Sequence, residues 1–94
     1  MTTDTGALLV MNMGLTLRRQ RDARRWSQER LAEAANLNRS YVGELERGEA
    51  IPSLLTLLKL ARALGTTPSL LLQEAEAQER TQTARRLLLT SIAC

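Results

Sequence analysis

The 94 residues contain no histidine, and their only thiol is Cys94. That shortage excludes several kinds of chemistry. A His/Cys metal cluster has no ligands, so neither a metal nor any other cofactor is expected. Ser-His-Asp or Cys-His nucleophilic catalysis has no base. A lone cysteine cannot form an intrachain disulfide, and a free thiol fits a reducing cytoplasm. There is also no carboxylate pair or glycine-rich phosphate loop, so an enzyme is not expected. Aromatics amount to only 2% of the chain, which leaves little of the material that fills strands. The apolar run Ala7 to Met11 is far too short to span a bilayer, and no basic stretch precedes it to make a signal peptide.

What remains is rich in leucine and alanine, which dominate the 44% apolar content and form good helices. The length suits one small all-helical domain with short tails. A core of that size often gains further burial by oligomerising. The formal charge is only +3, from 13 basic and 10 acidic residues, but its placement is uneven. Eight arginines lie between Arg18 and Arg47, whereas Gln73 to Glu79 carries three glutamates. A basic first half suits a polyanionic partner. Charge alone does not separate that reading from a solvated arginine-rich face.

Start and stop signals divide the chain. Residues 1–13 read as a loosely ordered N-terminal arm, residues 14–79 as the domain, and residues 80–94 as a tail. The first helix is expected from about Leu15 to Ala23. Ser27 caps a second over Gln28 to Ala35, with Leu31, Ala32 and Ala35 on its inner stripe. Asn36 tolerates the left-handed conformation that ends helices, and Leu37 is apolar within the turn. Asn38 caps a third helix over Arg39 to Glu46, whose inward residues are Val42 and Leu45. Gly48 ends it. Ser53 caps a fourth over Leu54 to Leu64, with Leu54, Leu57, Leu58, Ala61 and Leu64 at spacings of three and four, and Gly65 closes it. Thr67-Pro68 starts a fifth that reaches about Glu79. The tail is either disordered or a helical extension through Ala84, Leu87, Leu88 and Ile92.

Gln28 to Glu46 is the informative stretch. Two short helices flank a tight turn, and the small Ala32 sits where they must pass closely. This is the helix-turn-helix arrangement, in which the second helix enters a major groove.

Three blocks carry a family resemblance: Trp26-Ser27-Gln28-Glu29-Arg30-Leu31-Ala32, Tyr41-Val42-Gly43-Glu44-Leu45-Glu46-Arg47-Gly48, and Pro52-Ser53-Leu54 through Leu60 to Gly65. In this order they resemble the Cro/C1-type (Xre-like) helix-turn-helix regulators, over about Leu15 to Leu72. The resemblance implies an all-α, five-helix, lambda-repressor-like DNA-binding domain. Restriction–modification controller proteins are small members of similar build. The family commonly has glycine where Arg25 and Asn36 stand here. It also implies a pairing of Arg21 with Glu46 that would orient the third helix; the alternative is a surface ion pair of little worth.

Arg39, Ser40, Gly43 and Glu44 are the expected base contacts. Arg39 has the planar fork that matches guanine O6 and N7, and Glu44 can accept from cytosine N4 or pair with an arginine. Gly43 leaves the backbone bare for close approach, at a cost of about 1 kcal/mol in helix propensity. Ser27, Gln28, Asn38 and Arg47 are expected on phosphates, Gln28 at the positive end of the second helix. Trp26 reads as core or rim. Leu70, Leu71 and Leu72 exceed what one stripe can bury, so they are expected at a homodimer interface through the fifth helix, with Leu87 to Ile92 of the tail as a further candidate, the alternative being completion of the monomer core. The expected function is a transcriptional repressor or activator that binds a two-fold symmetric duplex operator as a dimer. RNA polymerase becomes a further partner if it activates. The competing reading is a protein-interaction module of the same fold, antitoxin-like or adaptor.

Overall fold

The computed structural model describes residues 2–93, and Cys94 lies outside the described residues. Five helices follow in order: α1 Thr2–Ala23, α2 Gln28–Ala35, α3 Arg39–Glu46, α4 Leu54–Leu64 and α5 Pro68–Ala93. No strand occurs among the described residues.

The caps behave as the side chains dictate. Ser27 Oγ accepts from the Arg30 amide, Asn38 Oδ1 from Ser40, Ser53 Oγ from Thr56, and Thr67 Oγ1 from Leu70. Each satisfies an amide that the first turn leaves free. Gly65 ends α4 at φ 71° and Gly48 follows α3 at φ 74°, both left-handed. Arg25 and Asn36 adopt the same region, at φ 58° and 56°, which favours glycine. The chain therefore keeps that backbone at both turns without glycine's freedom.

Leu17, Leu31, Val42, Leu45, Leu60, Leu64 and Leu71 are fully buried and form the centre of the core, with Ala32, Ala35, Ala61 and Ala75 where helices pass closely. α2 packs on α3 and α4, α1 on α3, and α4 on α5. α1 and α5 run antiparallel along each other. Gln20 Nε2 donates to Glu74 at 2.8 Å; one turn back on α1 and one turn on along α5, Gln78 Nε2 donates to Thr16 Oγ1 at 2.7 Å.

Three expectations need correction. Residues 2–13 are not a loose arm but the first half of α1, with Asn12 and Met13 buried and Leu9 packed on the core. Their cover comes from elements far along the chain, which local pattern does not reveal. The helix expected to stop near Glu79 continues to Ala93, as the helical version of the tail requires. In α4, Leu54 is 80% exposed and the buried stripe is Leu57, Leu60, Ala61 and Leu64. Leu54 shares the helical phase of Leu57 and Leu64 but sits at the very start of the helix, where no neighbour covers it. The side chain of Ile92 is outside those described.

Candidate nucleic-acid interface

The junction of α1, α2 and α3 is held by a single carboxylate. Arg21, on the last turn of α1, donates from Nε to Glu46 Oε2 at 2.7 Å and from Nη2 to Glu46 Oε1 at 2.9 Å. Its Nη1 donates to the Trp26 carbonyl at 2.8 Å. Gln28, the first residue of α2, donates from Nε2 to Glu46 Oε1 at 3.0 Å. The Glu46 side chain is 3% exposed and that of Arg21 12%, so this is no surface pair. The hydrogen bond to Glu46 raises the Arg21 pKa above the ordinary arginine value, and burial opposes it. Bidentate, partly buried pairs of this kind fix orientation as well as adding energy. Here the fixed element is α3.

The inner side of α3 presents Val42 and Leu45 to the core. Its outer side presents Arg39, Ser40 and Glu44, all exposed. Asn38 and Ser27 are exposed at the starts of α3 and α2, where unpaired backbone amides favour an anion. Arg47 follows α3, with Nε 3.1 Å from Glu49 Oε2 and its side chain 56% exposed. The hydrogen bond to that carboxylate raises the Arg47 pKa above the ordinary arginine value. Trp26 packs on the core rim, with the Arg30 guanidinium 5.3 Å from its ring centre.

Four of the expected site residues are more covered than expected. Gln28 does not point freely to solvent: it is half-buried and one of its amide hydrogens is held by Glu46. Gly43 is buried rather than open, with side chains of Gln28 and Arg47 lying over it. Leu71 is fully buried in the core and Leu72 packs partly against it, so of the three leucines only Leu70, 48% exposed, is free for an interface.

Two residues that position this face were missed. A Cβ on Gly14 would stand 2.5 Å from the Leu45 carbonyl oxygen and 2.6 Å from that of Glu46. Only glycine lets α1 press on the end of α3 there. Arg24 donates from Nη1 to the Gln20 carbonyl at 2.9 Å and from Nη2 to the Leu64 carbonyl, tying the end of α1 to the end of α4. A glycine inside a helical pattern was the available signal for the first. Arg24 had none, since its acceptor lies forty residues away.

Comparison with known proteins fits this geometry. The helix-turn-helix family matches residues 17–71. The control protein C.SmaI of Serratia marcescens is 42% identical over 65 residues, which cover 68% of this chain and 77% of that protein. The crystal structure of the restriction-modification controller protein C.AhdI from Aeromonas hydrophila superposes with a TM-score of 0.64 at 47% identity, covering 66% of this chain and 94% of that one. The clp gene regulator ClgR from Corynebacterium glutamicum gives a TM-score of 0.82 at 31% identity over 89% of each chain. Two further curated relatives are longer, and this chain spans only 32% and 44% of them. Among the described residues no helix is long and apolar enough to cross a membrane, and no group of three His, Cys, Asp or Glu could hold a metal ion.

Proposed function

The chain belongs to the Cro/C1-type helix-turn-helix family, and from that premise we propose that it is a cytoplasmic transcription regulator that reads duplex DNA with α3. The observation that carries this reading is the two-sidedness of that helix. Its inner face and its Glu46 are fixed by α1 and α2, while Arg39, Ser40 and Glu44 stand exposed on one outer arc. In this reading Arg39 pairs with a guanine edge, Ser40 and Glu44 reach neighbouring base edges, and the start of α2 with Asn38 and Arg47 contacts phosphates. Likeness to two controller proteins supports a role of the same kind.

One such unit covers few base pairs, so the operator is read by a homodimer whose recognition helices lie about 34 Å apart. The surface best suited to the second copy is the outward stripe of α5. Leu70, Ala77, Thr81, Ala84 and Leu88 recur at helical spacing, and all are exposed. Hollows of about 400 and 420 Å³ meet along this stripe at Glu74 and Ala77, leaving room for a partner's side chains. In this reading Leu70 and Leu88 lie at the dimer interface, and the buried Leu71 does not.

The test is titration of duplexes selected from a random pool, at rising salt. Binding of two copies to a symmetric site is expected, with affinity falling about tenfold or more between 50 and 200 mM salt. Leu70→Glu with Leu88→Glu leaves a folded monomer that needs far more protein to fill the site. A chain that retains no duplex at low salt overturns the reading.

A further inference from the structure

By the helical period Gly43 falls between Arg39 and Ser40 on the outer arc of α3. It ought to be open to solvent, yet it is buried. The cover is intramolecular. A Cβ at position 43 would meet Arg47 Nη1 at 3.0 Å, Gln28 Oε1 at 3.4 Å and Arg47 Cζ at 3.8 Å. Both covering groups are held from a second side. Glu46 grips the Gln28 amide nitrogen at 3.0 Å, and Glu49 lies 3.1 Å from Arg47 Nε. The missing Cβ leaves the space in which both side chains lie, and Arg47 is the one that a Cβ would crowd. A methyl group there would press on Arg47 Nη1, and the guanidinium would have to give by a few tenths of an ångström out of its present place.

We propose that Gly43 is a positioning residue: its missing side chain is the seat in which Arg47, with Gln28 beside it, is aimed at the DNA backbone before DNA arrives. This rests on the DNA-reading role of α3 and replaces the expectation that Gly43 itself touches a base. A seated Arg47 keeps its charge forward and loses less freedom on binding than a wandering side chain. The helix gives up propensity at Gly43 for the same reason, since alanine there is the better helix former.

A double-mutant cycle on the full chain decides it, read as affinity for a selected duplex at two salt concentrations. Gly43→Ala alone is expected to weaken binding about five- to tenfold and to flatten the salt dependence as Arg47→Ala does, with thermal stability unchanged or raised. In the Arg47→Ala background, Gly43→Ala is expected to change affinity less than twofold. Gly43→Ser repeats the measurement with a second side chain, should the alanine variant fold poorly. An equal loss in both backgrounds means that DNA itself approaches Gly43, and the proposal falls. No loss in either background also overturns it. A wild-type chain that binds no duplex would instead remove the reading on which the proposal rests.

Discussion

The two ends of the molecule are built on opposite economies. Around α2 and α3, polar side chains find each other: Arg21, Gln28 and Glu46 share one carboxylate, and the caps close on their own amides. Along the second half of α5, Leu87, Leu88 and Leu89 are 64%, 64% and 62% exposed. Three successive helical residues span more than half of the circumference, so no single packed neighbour within the chain could cover them all. The first end is complete alone and offers its outer face to a ligand. The second leaves a run of leucines uncovered by the rest of the chain.

Four substitutions sharpen or break that contrast. The largest effect is expected within α5 itself, where core and surface meet at adjacent positions. Leu71→Ala empties a fully buried site and should cost about 3–4 kcal/mol in urea unfolding, against about 0.5 kcal/mol or less for Leu70→Ala in the monomer. Equal losses would mean that α5 sits on the domain in another rotation. Next comes the polar end. Glu46→Ala strands the largely buried Arg21 and frees Gln28, for a loss of about 3 kcal/mol in the same assay. A loss below about 1 kcal/mol would reduce the junction to a surface pair. The smallest effect is a gain. Arg25→Gly relieves a left-handed residue at φ 58° and should raise stability by about 0.5–1 kcal/mol, visible as a higher melting temperature. A lower one would show that the Arg25 side chain contributes more than its backbone costs.

The same contrast separates what the sequence made legible from what it did not. The second, third and fourth helices were readable to the residue because Ser27, Asn38, Ser53 and Gly65 act within one turn of themselves. Arg21 and Glu46 were legible only through the family resemblance, since twenty-five residues separate them. The first half of α1 was misread as an arm because its cover comes from far along the chain. Leu54 and Leu71 failed for a related reason: periodicity gives a helical phase but not where the neighbouring helix ends, nor which of three adjacent leucines points inward. Gly43 was placed on the right arc, but helical phase could not show that side chains from α2 and from the residue after α3 fold back over it.

The register of α5 has a mechanical consequence. Its 26 residues run without glycine or proline after Pro68, so it is a stiff rod about 39 Å long. Leu71 and Ala75 bolt one end of that rod into the domain, and the uncovered leucines occupy the other. With no hinge between them, a torque applied at the free end is delivered undiminished to the body that carries α3. A tilt imposed at the far end of α5 would therefore carry the domain that holds α3 with it.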